Sequence, residues 1–132
     1  MIGLDTNVLV RILAADDPAQ TPRAARFLQA HCSPEEPGFV NCIVLVELMW
    51  VLQNAYGYGR AEIVLAVESL LANGSLAIEL REQVSAALAT YRKTSCDLVD
   101  ALIGEINLLR GCDATATFDH RAARLGGFVR VT

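Results

Sequence analysis

Four acidic residues stand inside or directly beside apolar runs: Asp5 after Met1-Ile2-Gly3-Leu4, Glu47 within Ile43-Val44-Leu45-Val46 and Leu48-Met49-Trp50, Asp100 between Leu98-Val99 and Ala101-Leu102-Ile103, and Asp119 after Ala116-Thr117-Phe118. No basic residue is placed in sequence to neutralise them. A buried, unpaired carboxylate is costly, so such a group takes up a proton or finds a cation. Carboxylates that meet without Lys or Arg point to a hard divalent ion held by oxygen ligands. That makes the chain a candidate metal-dependent enzyme.

Each acid also has a structural reading. Asp5 and Asp119 precede helical stretches and can serve as N-caps. Glu47 falls in mid-helix with Ile43, Val44, Trp50 and Val51 as its helical neighbours, so no polar stripe runs through it and chemistry is the favoured reading. Asp97 and Asp100 lie three apart on one helix face. Asp97 is assigned the cap or a secondary role and Asp100 the chemistry. Asn7 and Thr117 are placed to orient a carboxylate or a bound water, or to bond the local backbone. Arg11, Arg92, Lys93 and Arg121 are candidates to hold a polyanion backbone or are simply solvated.

The elements that must carry these residues are short. Apolar strands are expected at residues 1–4, 38–41, 76–79, 114–118 and 128–131, and helices at 7–14, from Pro18 or Pro22 through Leu28, at 43–56, 60–72, 81–92 and 98–109, with a short one at 120–125. Thr94-Ser95-Cys96-Asp97 has capping-box spacing ahead of the 98–109 helix. The run 43–56 is apolar on nearly all sides and reads as a buried helix, Trp50 as core. Strands alternating with helices predict an α/β fold: a three-layer α/β/α sandwich around a parallel twisted sheet of four or five short strands. Ligands in such sheets bind beyond the carboxyl ends of the strands, where Asp5 and Asp119 are expected.

With 132 residues, 53% of them hydrophobic, a single domain over 1–132 is expected. The net charge of −4 argues against tight nonspecific binding of nucleic acid, yet with the four acids set aside the remaining charges balance. The four cysteines and two histidines show no zinc-ligand spacing. No Gly-x-Ser-x-Gly, Gly-x-Gly-x-x-Gly or phosphate-binding loop occurs, which removes support for a triad hydrolase or a nucleotide cofactor. No basic leader and no apolar run of about 18 residues is present, so no membrane association and a cytoplasmic location are expected.

Asp5-Thr6-Asn7 after a first strand, Val46-Glu47-Leu48 in mid-helix, Asp97-Leu98-Val99-Asp100-Ala101-Leu102-Ile103 and Thr117-Phe118-Asp119, in that order, resemble the PIN-domain family and within it the VapC-type toxin ribonucleases. The resemblance spans almost the whole chain. It implies a PIN-like sandwich and a metal-dependent endoribonuclease, with Asp5, Glu47, Asp100 and Asp119 as the acidic quartet and Asp5 and Asp100 as direct ligands. It also implies one or two Mg²⁺ or Mn²⁺ ions, an RNA substrate, a homodimer and a cognate VapB-like antitoxin. The alternatives are a catalytically silent PIN-like scaffold and an aspartyl-phosphate phosphatase or phosphotransfer domain. The second wants a lysine near the phosphate, and the only lysine is Lys93.

Overall fold

The computed structural model describes residues 1–132, which divide into two compact units, Met1–Glu79 and Leu80–Thr132. The first contains β1 (Ile2–Gly3), α1 (Thr6–Ala14), α2 (Gln20–His31), β2 (Gly38–Val40), α3 (Cys42–Asn54), α4 (Arg60–Ala72) and β3 (Leu76–Ile78). All its strands are parallel, in the order β1-β2-β3, with Gly3 opposite Phe39 and Phe39 opposite Ala77. Parallel neighbours require crossover connections, and a pair of helices supplies each one.

The helices lay Leu9, Val10, Leu45, Leu48, Leu52, Ile63 and Val67 into the core with Leu4 and Val40 of the strand segments, all of them buried. Gly38 is required at its place on β2. A Cβ there would stand 2.7 Å from Leu4 Cδ1 and 2.9 Å from Cys32 Sγ. Gly57 (φ +68°) takes the left-handed conformation just after α3.

The second unit contains α5 (Arg81–Lys93), α6 (Leu98–Leu109), β4 (Thr115–Thr117), a 3₁₀ turn (Ala122–Arg124) and β5 (Phe128–Arg130). β4 and β5 pair in parallel, Thr115 opposite Phe128. Helices α5 and α6 pack through buried Val84, Ala87, Leu88 and Tyr91 on one and Leu98, Ala101, Leu102 and Gly104 on the other. Asp97, not Thr94, caps α6: the helix starts at Leu98 and the Asp97 carboxylate accepts from the Val99 N–H at 2.9 Å. The Thr94 hydroxyl donates back to the Thr90 carbonyl instead.

Alternation of strands and helices with parallel pairing gives the expected α/β, PIN-like class. The expected single sheet is corrected to two, of three and two strands. With two or three residues each, the strands form short ladders whose partners their own apolar patterns do not specify.

Gly104 gives a test of packing. A Cβ on it would lie 2.5 Å from Phe128 Cε2 and 2.8 Å from Cζ. Ala improves helix propensity by about 1 kcal/mol, but crowding against a fixed ring costs about 1–3 kcal/mol. Gly104→Ala is therefore expected to destabilise the fold in urea titrations; a stabilised variant would show that the ring yields freely.

Candidate active site

In the first unit, each strand is followed within two residues by a polar one. Continuing the register two residues past Gly3, Phe39 and Ala77 places Asp5, Asn41 and Glu79 side by side at the carboxyl edge. Hydrogen bonds from Leu4 N to Phe39 O and from Glu79 N to Val40 O, each 2.9 Å, carry the alignment there. Asp5 is exposed and caps α1, its Oδ1 accepting from Thr6 N at 2.8 Å. Asn41 caps α3 through Val44 N at 2.8 Å, and Glu79 Oε1 accepts from Cys42 N at 2.8 Å. Asn41 and Glu79 did not stand out in the sequence, where they read as the last residues of strands; an acid directly after an apolar triplet, as at Asp5, is the signal for Glu79.

Glu47, on the second turn of α3, is exposed, as are Ile43 (80%) and Trp50 (63%). The expectation of a helix buried all round, with Trp50 in the core, is thus corrected. Leu45, Leu48, Met49 and Leu52 alone turn inward, because a helix against one layer has only one covered face. Asn7 is exposed on the first turn of α1. The Thr6 hydroxyl beside Asp5 is buried and has no hydrogen-bond partner.

Arg11 is largely committed elsewhere. Its Nε donates to Gln20 Oε1 at 2.6 Å and its NH1 to Tyr56 OH at 3.2 Å, while Asp16 and Asp17 lie 3.8 and 3.9 Å away. Asp17, read in the sequence as a solvated loop residue, holds the start of α2 by accepting from Ala19 N and Gln20 N. Those bonds keep its carboxyl below the usual range.

In the second unit, Asp100 is half-buried on the first turn of α6. Desolvation raises its pKa, and the carboxylates of Asp97 and then Asp119 raise it further. Asp119, two residues past β4, is exposed rather than buried and organises the turn after it. Its Oδ1 accepts from Arg121 N at 2.7 Å and Ala122 N at 2.9 Å. These N–H groups lower its pKa, with smaller help from the Arg121 and His120 charges, so Asp119 does have basic neighbours. The Thr117 hydroxyl accepts from Asp119 N at 3.0 Å, positioning that acid through the backbone. Arg92 and Lys93 are exposed on the last turn of α5, and Arg121 is exposed beside Asp119.

The contrast between Asp100 and Asp119 is testable by pH. The folded state keeps the Asp100 proton to higher pH than the unfolded chain does, so its contribution favours folding at low pH and is lost as pH rises through the raised value. Asp119 acts oppositely, contributing above the ordinary carboxylate range and losing that contribution as pH falls. In chelator, Asp100→Asn is expected to raise the thermal midpoint at neutral pH, with the gain shrinking toward about pH 3. An Asn variant less stable than its parent at neutral pH would contradict the placement of Asp100 among carboxylates.

The acids fit a hard cation by chemistry: their donors are oxygens, and the charges raising Asp100 are those of other carboxylates. No three His, Cys, Asp or Glu side chains are gathered into a ready-made metal cage. Mg²⁺-type ions keep several waters and are commonly held through one or two carboxylates plus substrate phosphates.

The PIN domain family model matches residues 2–127, nearly the whole chain. The chain belongs to the PIN domain family. A relative, the VapC ribonuclease of Aquifex aeolicus (strain VF5), is 26% identical over 123 residues, covering 93% of this chain and 90% of that protein. This PIN domain has no helix long and apolar enough to cross a membrane.

Proposed function

We propose that this PIN domain is a metal-dependent endoribonuclease that hydrolyses RNA phosphodiester bonds and acts in the cytoplasm as the toxin of a type II toxin-antitoxin pair. The observation that carries this is the family match over both units together with a VapC ribonuclease relative aligned along nearly the full length. The same span supports treating residues 1–132 as one domain.

Asp5, Glu47, Asp100 and Asp119 are assigned as the catalytic acids, with Asp5 and Asp100 the residues that would hold one or two Mg²⁺ or Mn²⁺ ions. The ion, when bound, supplies Lewis acidity and a water of lowered pKa. Asp100, held above the usual carboxylate range by burial and then by the Asp97 and Asp119 carboxylates, would be relieved by an adjacent positive charge. Glu47, exposed and mid-helix, is available to accept a proton at the reacting centre. Thr117 orients Asp119 through its backbone, Asp97 keeps the first turn of α6 in place beneath Asp100, and Asn7 is assigned a supporting polar role. Lys93, Arg92 and Arg121 are assigned to the RNA phosphates. Arg11 serves mainly to join α1 to α2.

A cognate VapB-like antitoxin and a homodimer complete the reading. Exposed Ile43 and Trp50 on α3 and Leu65 on α4 supply apolar surface of the kind that partners cover. Incubating the protein with single-stranded RNA, with Mn²⁺ or chelator, tests the reading: internal cleavage is expected only with the ion. An absence of both cleavage and Mn²⁺ binding by calorimetry would favour a silent scaffold instead.

A further inference from the structure

Glu79 belongs to no recognised motif, yet it makes three bonds to a segment 37 to 39 positions earlier. Its N–H donates to Val40 O at 2.9 Å, its carboxylate Oε1 accepts from Cys42 N at 2.8 Å, and its carbonyl accepts from the Cys42 thiol at 3.6 Å. Together these bonds join the end of β3 to the point where β2 becomes α3. The first N–H groups of a helix have no partner within it, and that end carries partial positive charge. Asn41 satisfies that of Val44, and the Glu79 carboxylate, just past β3, satisfies that of Cys42, the first residue of the helix.

We infer that Glu79 is a positioning residue for Glu47, setting the height and rotation of α3 at the carboxyl edge of the sheet; this rests on the nuclease reading proposed above. Glu47 follows Cys42 by five residues on the same helix and is exposed, so its place is set by the helix that carries it. The inner face, Leu45, Leu48, Met49 and Leu52, resists rotation of α3 but is apolar and nondirectional. Directional bonds at the first turn come from Asn41 and Glu79, and only Glu79 ties that turn to a third strand. The environment of Cys42 agrees with a close carboxylate: burial first, then the Glu79 charge and hydrogen bond, push its thiol up to about 11.

The test uses the full chain with Glu79→Gln and Glu79→Ala. Gln keeps a carbonyl acceptor for Cys42 N–H, while Ala removes it. In Glu79→Ala, amide exchange in the first turn of α3 is expected to quicken and kcat for RNA cleavage to fall by about ten- to a hundredfold with KM little changed. Glu79→Gln is expected to restore most of kcat. In both variants the Cys42 thiol, followed by alkylation and peptide mass, should titrate lower because the charge is gone.

Glu79→Ala with parent kcat overturns the inference, as does Glu79→Gln failing as badly as Ala. If the parent cleaves no RNA, the nuclease reading falls on its own. The tie between Glu79 and α3 is then judged by exchange, and unchanged protection in Glu79→Ala overturns that as well.

Discussion

Asp5→Asn is expected to lower metal-dependent RNA cleavage by about a hundredfold or more while leaving the fold intact. The substitution separates two duties of one side chain. Asp5 caps α1 by accepting from Thr6 N at 2.8 Å, and Asn is as good an N-cap as Asp, so the cap survives. What Asn lacks is the negative charge that a hard cation requires. Initial rates across a Mn²⁺ titration, alongside thermal midpoints, read the two duties independently. Retained activity in Asp5→Asn would reduce Asp5 to a structural cap and remove it from the proposed quartet. Lost activity with a collapsed midpoint would mean that the cap had been disturbed after all, and Asp5→Ser, another good cap without charge, would then decide.

The largest stability effect is expected at Leu48, the neighbour of Glu47 on α3. Leu48 is fully buried, so Leu48→Ala removes buried methyl groups and leaves a cavity, at a cost of about 2–5 kcal/mol. Trp50→Ala, two residues on, is expected to shift stability by no more than roughly 0.5 kcal/mol in dilute monomer, because the residue is 63% exposed. Urea unfolding of both variants measures the contrast. Equal and large losses would mean that α3 is covered on both sides. If the loss at Trp50 grows with protein concentration, a second copy of the chain provides the cover.

Much of the local structure was legible because its causes are local. Asp97 sits where a helix begins, and Gly57 follows the end of one. Helical spacing of Val84, Ala87, Leu88 and Tyr91 places the buried face of α5. The order of Asp5, Glu47, Asp100 and Asp119 was enough to suggest the PIN domain family, which the match over residues 2–127 shows. Apolar neighbours in sequence, however, did not mean burial. Asp5, Glu47 and Asp119 are exposed, because strand ends and the uncovered side of a helix face solvent whatever precedes them in the chain.

The sequence by itself determined the elements, their order, the α/β class and the acids worth testing, since periodicity, caps and turn residues act within a few positions. Only the tertiary structure decided which strands pair, which face of α3 is covered, that Arg11 is held by Gln20 and Tyr56, and that Glu79 meets Cys42. Each of these depends on groups brought together from distant positions, and register across short strands is set by how whole layers pack. The row Asp5, Asn41 and Glu79 exists only once three strands have aligned, and no one of their segments encodes it alone.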